Sequence, residues 1–440
     1  MDDYEFGNRL YELRVKSSLT QTELAKMLGV TNKAVSKWET GKAKPITDTL
    51  TKLATIFQIP FEELLLPRGG NKQMKIEKIV ITGGPCAGKT TAMSWIQNAF
   101  TELGYHVVFV PETATELITG GIAPWILTDN AEYQICQMKL QIEKEKIFEK
   151  AAENVFNYDK VLIVCDRGTM DNKAYMTDIE FEQILHKMNL NETELRDNYG
   201  AVFHLVTAAK GAEEFYTLSN NSARTETIEE ATQLDDKLIS AWTGHPHFRV
   251  IDNASDFENK MKNLISEISA FLGEPEPYEI ERKYLIEYPD IDTLEKNIMC
   301  KKVEIIQTYL KSEKDEEVRV RQRGEKGNYI YFKTIKKKIS DIKRIETETR
   351  LSKDEYLTLL MEADTSKKQI RKTRYCLTYK SQYFEIDVYP FWNDKAIMEI
   401  ELKDEYAKIN IPKYIKIIKE VTDDEEYKNS SLAVNEGKIK

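Results

Sequence analysis

The rhythm of hydrophobic and polar positions changes twice along this chain, so three kinds of structure are expected. Over the first 70 residues apolar side chains recur at helical spacing, as in Leu50, Leu53, Ala54 and Phe57 after Pro45. From Lys75 short apolar runs alternate with helical stretches. Ile79-Val80-Ile81, His106 to Val110, Val161 to Val164 and Val250-Ile251-Asp252-Asn253 predict strands of a parallel sheet. Past the linker Glu274-Pro275-Glu276-Pro277 the period becomes two. Charges recur as Glu279/Glu281/Lys283, Arg319/Arg321/Arg323, Glu346/Glu348, Lys372/Arg374, Glu385/Asp387 and Glu399/Glu401, with Val318, Val320, Ile345, Ile386 and Ile400 between them. Successive strand side chains point to opposite faces, so each charged set projects from one face. With the breakers Pro67-Arg68-Gly69-Gly70, this predicts an all-α segment over 1–70, an α/β segment with a parallel sheet over 71–273, and antiparallel strands over 274–440 ending in a C-terminal tail.

Bulk properties narrow the class. A chain of 440 residues with 41% hydrophobic and 31% charged residues has room for about three domains with ample core. No apolar run approaches the ~20 residues that cross a bilayer. The acidic start Met1-Asp2-Asp3-Tyr4-Glu5 is unlike a secretory signal, so a cytoplasmic protein is expected. Cys86, Cys136, Cys165, Cys300 and Cys376 are odd in number and form no CxxC pair, which argues against a disulfide scaffold or structural zinc. A net charge of −10 excludes coating nucleic acid by bulk charge, but not a small DNA-reading module with local phosphate contacts.

Such a module is legible near the N-terminus. Thr20 followed by Glu23 is a capping-box pattern opening a helix through Leu28, Gly29 makes the turn, and Thr31 caps a second helix closed by Gly41. With Leu24-Ala25, Trp38-Glu39 and Pro45, the segment from Leu19 to about Leu65 resembles the repressor-type (XRE/Cro-like) helix-turn-helix family. The resemblance implies that Asn32, Lys33, Ser36 and Lys37 face the major groove of a double-stranded operator while Gln21 holds a backbone phosphate.

The octet Gly83-Gly84-Pro85-Cys86-Ala87-Gly88-Lys89-Thr90 is a GxxxxGK[ST] phosphate loop between a strand and a helix. Its backbone N–H groups would cradle ATP or GTP, Lys89 would reach the β and γ phosphates, Thr90 would ligate Mg²⁺, and the helix from Thr91 would favour the anion. Strand ends line the ligand crevice of an α/β sheet, which converges Glu112 and Asp166 on Lys89, Asp166 as the magnesium-organising carboxylate. With Pro111-Glu112-Thr113-Ala114 and Asp166-Arg167-Gly168-Thr169-Met170-Asp171, residues 76–272 look like the P-loop family of the TRPL-translocation-defect proteins and the kinase-like half of NadR-like regulators. By that likeness Arg167 belongs to the nucleotide site, Arg224 to a lid over the triphosphate, and Glu112 to the general-base position. Asn253 is a weak candidate for approaching the base, and His245 and His247 read as structural.

A half-exposed antiparallel sheet also alternates, so alternation alone does not point to a function. Sign segregation and the ExExK run Glu279-Ile280-Glu281-Arg282-Lys283 go further. With Gln307-Thr308-Tyr309-Leu310, Phe332-Lys333-Thr334 and Glu420-Val421-Thr422-Asp423-Asp424, residues 278–433 resemble the CYTH domain of the triphosphate tunnel metalloenzymes. That family implies an eight-stranded antiparallel barrel with flanking helices and its charged face inward. Lys283, Arg319, Arg321, Lys333 and Arg374 would grip a triphosphate, and Glu279, Glu281, Glu399 and Glu401 would hold Mg²⁺ or Mn²⁺. Lys336-Lys337-Lys338 falls beyond the motif and reads as a solvated loop.

Together these readings predict a DNA-binding transcriptional regulator that binds ATP or GTP with magnesium and recognises or processes a phosphorylated or triphosphate metabolite. One alternative is a small-molecule kinase or triphosphatase whose DNA-binding module only autoregulates. Another is a GTP-dependent switch on anionic lipid headgroups, against which the lack of a basic amphipathic membrane helix counts. Two-fold operators admit a homo-oligomer, although no dimerisation heptad is visible.

Overall fold

Two threonines start the helices that the N-terminal pattern predicts. In the computed structural model the Thr20 and Thr31 hydroxyls accept the backbone N–H groups of Glu23 and Ala34, and Glu23 returns the bond to Thr20 N at 2.7 Å. The resulting α2 (Gln21–Leu28) ends at Gly29, whose φ of 72° only glycine adopts freely, and α3 (Asn32–Glu39) follows. They pack with α1 (Asp3–Lys16) and α4 (Thr47–Phe57) around Phe6, Leu10, Leu24, Val35, Trp38 and Leu53. A Cβ on Gly7 would come within 2.4 Å of Trp38 O, so α1 closes on the end of α3 only through a glycine.

The structure describes residues 3–435 except 18, 58, 60, 62–73, 128, 156–157, 217–226, 275–279, 313–315, 339–343 and 403–406. It divides into two units: Met1–Lys75 with Val155–Lys160, and Ile76–Asn154 with Val161–Lys440.

The second unit holds both sheets. The first has strand order β2-β3-β1-β4-β5, from β1 (Lys75–Gly83), β2 (Tyr105–Val110), β3 (Lys160–Asp166), β4 (Ala201–Leu205) and β5 (Phe248–Ile251). Strands β1, β4 and β5 run parallel, with Ile79 beside Ala201 and Val202 beside Phe248. Its helices are α5 (Lys89–Glu102), α6 (Thr113–Thr119), α7 (Asn130–Ala152), α8 (Asp178–Met188), α9 (Glu192–Arg196), α10 (Ile228–Trp242) and α11 (Phe257–Leu272). Helices α5 and α11 bury Ile96, Phe100, Met261 and Leu264 against Ile79, Ile81 and Phe203. The central position of β1 delivers its following loop to the switch point of the sheet. The run Val250 to Asn253 is a strand only to Ile251, leaving Asp252 and Asn253 at its carboxyl edge.

Among the described residues the second sheet is antiparallel and has nine strands, where eight were expected. Its order is β10-β9-β8-β7-β11-β12-β13-β6-β14. These are β6 (Ile280–Glu287), β7 (Cys300–Leu310), β8 (Glu316–Glu325), β9 (Asn328–Lys338), β10 (Arg344–Leu351), β11 (Ile370–Tyr379), β12 (Gln382–Val388), β13 (Lys395–Leu402) and β14 (Ile417–Glu420). One face is apolar: Tyr284, Ile286, Phe384, Ile386 and Met398 pack with Leu294 of α12 (Ile291–Glu295), and Val318 and Val320 pack under α13 (Lys353–Leu359). Helix α14 (Asn429–Asn435) adds Leu432 and Ala433 to a cluster with Leu285, Tyr309 and Ile397. The β11–β12 turn places Lys380 and Ser381 at φ 48° and 59°, where Asn-Gly is usual, at about 1–2 kcal/mol per residue. Among the described residues no helix is long and apolar enough to cross a membrane.

Candidate functional site

The phosphate loop follows β1 and is braced from three directions. Gly84 N donates to Asp235 Oδ1 (3.1 Å), the Thr207 hydroxyl donates to Pro85 O, and Lys260 Nζ donates to Ala87 O (3.1 Å). Cys86 and Gly88 take positive φ (57° and 92°), and a Cβ on Gly83 would lie 2.3 Å from Leu205 O. These turns curl the backbone into a cradle ahead of α5. Lys89, half-buried at the start of that helix, makes no ion pair or hydrogen bond among the described residues. Burial and the neighbouring Arg167 push its pKa down, against Asp166, Glu112 and Asp171. Two adjacent cations in a cradle of N–H groups are poised for an anion.

Asp166 ends β3 with its Oδ1 buried and without a partner among the described residues, and burial raises its pKa. It caps no helix: Gly168 fills that position, with Asp171 accepting its N–H at 2.8 Å. The unpartnered carboxylate oxygen of Asp166 and the exposed hydroxyl of Thr90 are donors that a magnesium shell accepts. Thr91 is likewise exposed at the helix start.

Glu112 is held by two donors. Arg167 Nε and the Thr115 hydroxyl (2.6 Å) both donate to its carboxylate. Burial alone would raise its pKa, yet Arg167 and Lys89 hold it down at about 2. Its contacts hold the Arg167 guanidinium in place beside Lys89. Asn253 is spent internally: its Nδ2 donates to Thr207 O and Lys210 O, both 2.8 Å, and its Oδ1 accepts from Lys260 (2.7 Å). His245 is buried and neutral, with Nε2 on Tyr199 O (2.9 Å) and Nδ1 accepting His247 N (3.0 Å). Arg224 and Glu279 lie outside the described residues.

In the antiparallel sheet, cross-strand register joins the charged sets into one face. Glu399 pairs with Lys283 and Glu385, Asp387 with Arg374, Lys372 with Ile305, Ile305 with Arg323, Gln307 with Arg321, and Thr334 with Arg319 and Glu348. Directly paired residues share a face. Lys333 instead pairs with Val320 and belongs to the opposite, apolar face, so it is not among the tunnel cations. Lys336, opposite Glu317 and Glu346, lies on the charged face instead, and Lys336 to Lys338 are strand where a loop was expected.

Most cations of this face are matched by its own carboxylates. Lys283 Nζ lies 2.8 Å from Glu399 and 3.5 Å from Glu281. Arg374 binds Asp387 through Nε and Nη2 (both 2.6 Å), Glu385 through Nη1, and Glu399 at 3.1 Å, while Lys372 pairs with Asp387. Arg321 reaches both oxygens of Glu348 (2.9 and 2.8 Å) and lies over Phe332, but its Nε is buried without an acceptor. Burial lowers its pKa, as do Arg319, Arg323 and Arg374, against Glu348. Several guanidinium groups gathered on one face are suited to a polyanion. Among the described residues no three carboxylate, imidazole or thiol groups gather as metal ligands, and Glu401 is taken by Arg249 of β5. Residue spacing set Arg323, Lys372, Glu348 and Asp387 among the alternating charges without giving them a site role and left Lys336 out; parity carried through the register joins all five to one face.

Asn32, Lys33 and Lys37 are exposed and Ser36 half-buried on one side of α3, opposite Val35 and Trp38. Gln21 is already engaged within the helical segment. Its amide donates to Glu39 Oε2 (2.7 Å), a carboxylate already held by Arg14 Nε and Nη2 (2.6 and 3.0 Å), so only its second N–H remains for a phosphate.

Comparison with known proteins follows the same three parts. Residues 10–64 match the helix-turn-helix family model, 78–260 an AAA domain and 277–425 the CYTH domain. The HTH-type transcriptional activator BcrR of Enterococcus faecalis is 41% identical over 61 residues, 14% of this chain and 30% of its own length. The uncharacterized prophage-derived HTH-type regulator YonR of Bacillus subtilis is 36% identical over 75 residues, 17% of this chain and 68% of that protein. The crystal structure of an inorganic triphosphatase is 29% identical, covering 36% of this chain and 95% of its own, with a TM-score of 0.27. A restriction-modification controller protein of Aeromonas hydrophila is 36% identical, covering 14% of this chain and 92% of its own, with a TM-score of 0.14.

Proposed function

Because the chain belongs to the helix-turn-helix transcriptional regulators by its N-terminal segment and carries an AAA-type P-loop domain and a CYTH domain behind it, we propose a regulator whose operator binding responds to a bound nucleotide and to a phosphorylated or triphosphate metabolite. The observation that carries this reading is Lys89. A half-buried lysine beside Arg167, with no ion pair among the described residues, is costly unless an anion arrives. Phosphate oxygens in the cradle would supply that charge, with the backbone N–H groups of Gly84 to Thr90 around them. Thr90 and Asp166 would hold magnesium, whose chemistry when bound is to neutralise charge on the β and γ oxygens. Arg167, anchored by Glu112, would meet the same phosphates from the far side.

The charged face of the antiparallel sheet supports a second anion site. Its lysines and arginines hold carboxylates that a triphosphate would displace, so ligand binding trades internal ion pairs for phosphate contacts. The exposed Asn32, Lys33 and Lys37, with half-buried Ser36, support base reading in the major groove.

Calorimetric titration with ATP and GTP in the presence of magnesium tests the nucleotide site. Lys89→Ala is expected to abolish the high-affinity phase, and Asp166→Asn to weaken only its magnesium-dependent part. Equal affinities in wild type and Lys89→Ala would remove the reading.

A further inference from the structure

A cleft of 620 Å³ lies between the carboxyl ends of β4 and β5 and the antiparallel sheet, within the ~300–1,000 Å³ usual for small-molecule sites. One wall comes from the carboxyl ends of β4 and β5, through Val206, Lys210, Asp252 and Ala254, with Asp236 and Ile239 of α10. The other comes from the antiparallel sheet: Asn297 and Met299 ahead of β7, and the turn Thr378 to Ser381 between β11 and β12.

The first wall is wired to the phosphate cradle by single side chains. Asp235 accepts Gly84 N with Oδ1 (3.1 Å) and Lys210 Nζ with Oδ2 (2.9 Å), while Lys210 also reaches Asp236 at 2.7 Å. Lys260 joins Ala87 O to Asn253 Oδ1. The second wall is fixed to the first at its back. Ser240 Oγ donates to Ile298 O (2.6 Å), the Thr243 and Thr378 hydroxyls meet at 3.2 Å, and Tyr383 OH donates to His245 O (2.9 Å). The two walls are therefore held at a set separation.

The lining suits a flat heterocycle bearing amino groups. Ile239, Met299 and Tyr379 offer apolar and aromatic surface for the ring faces. Asp236 and Asp252 offer carboxylate acceptors at the rim, and Asp252 spends Oδ1 on Ala254 N at 3.2 Å. We propose that the cleft is the nucleobase site of the nucleotide on the phosphate loop, and that the antiparallel sheet supplies half of it through Met299 and Tyr379. The inference rests on the nucleotide reading above and adds to it that the base is shared between two domains. Occupancy of the loop is then felt by the CYTH sheet through its own residues.

The experiment compares ADP, GDP and inorganic diphosphate on the full chain by calorimetry, in wild type, Tyr379→Ala, Met299→Trp and Lys89→Ala. Met299→Trp fills the cleft and Tyr379→Ala removes its ring. Expected is a nucleotide-to-diphosphate affinity ratio that falls roughly tenfold in both cleft variants, the order of one lost base-stacking contact. Diphosphate affinity should stay as in wild type, which also reports an intact fold, and Lys89→Ala should lose both ligands. An unchanged ratio in both cleft variants, with binding still dependent on Lys89, overturns the inference and leaves the P-loop reading standing. If neither probe shows Lys89-dependent binding, the P-loop reading falls and takes this inference with it.

Discussion

Lys260 shows how one side chain can couple stability to the nucleotide site. It is buried with three acceptors around its ammonium: Ala87 O, Val206 O and Asn253 Oδ1. Burial lowers its pKa to about 8, with Asp235 and Asp252 opposing. Leaving such acceptors without a donor costs on the order of 1–3 kcal/mol each, so Lys260→Met should lower the midpoint of thermal unfolding and weaken nucleotide binding together. The pH dependence has a definite sign. Between about pH 8 and the ordinary lysine value of 10.5 the unfolded chain holds a proton that the folded chain has released. Folded stability therefore rises with pH through that window, and below it the cost of burying the charge is fully present. Denaturation at pH 7 and pH 9.5 should show the wild type gaining on Lys260→Met at the higher pH. A gap that narrows would contradict the assignment.

At the scale of elements, strand parity decides which cations serve the charged face. Lys333 and Lys336 are three residues apart on β9 and face opposite ways, Lys333 with Val320 and Lys336 with Glu317. Lys336→Ala should weaken tripolyphosphate binding several-fold, whereas Lys333→Ala should leave it near wild type, as measured by titration in the Lys89→Ala background. The reverse order would contradict that register. Spacing along the chain is insufficient here. The alternation of Arg319, Arg321 and Arg323 identifies a strand and its charged side, but which neighbouring lysine joins that side depends on a ladder of hydrogen bonds that spacing does not encode. The same holds for Glu39, whose partners Arg14 and Gln21 come from two other helices. Strand β4 is not legible in the sequence because Ala201 to Leu205 is a short apolar run carrying His204 near its end, and only pairing with β1 makes it a strand. The helix starts at Thr20 and Thr31 and the phosphate loop are legible because their chemistry is local.

At the scale of the molecule, the P-loop sheet and the CYTH sheet share one unit, joined by a buried charge cluster. Asp197 is held by Arg196 (2.7 and 3.1 Å) and by Arg323 of the charged face (2.8 Å), and Arg323 also donates to Gly244 O at 2.8 Å. Burial would raise the Asp197 pKa, but the two arginines keep it at about 2, so the pair stays charged throughout the physiological range. Removing one partner of a buried pair typically costs ~3–5 kcal/mol, and Arg323→Met should fall in that range in denaturant unfolding while lowering nucleotide and tripolyphosphate affinity together. A change near zero would mean the two sheets do not stabilise one another through this contact.

The central claim is that a nucleotide on the phosphate loop governs DNA binding by the helix-turn-helix. Fluorescence anisotropy of a labelled fragment from the protein's own promoter region, at fixed salt, tests it most directly. Wild-type affinity should shift at least about fivefold when saturating ATP or GTP with magnesium is added, the lower end of ordinary coupling between two sites. Lys89→Ala should bind the same fragment with no nucleotide response. A wild type that binds the fragment with one affinity whether or not nucleotide is present would contradict the claim.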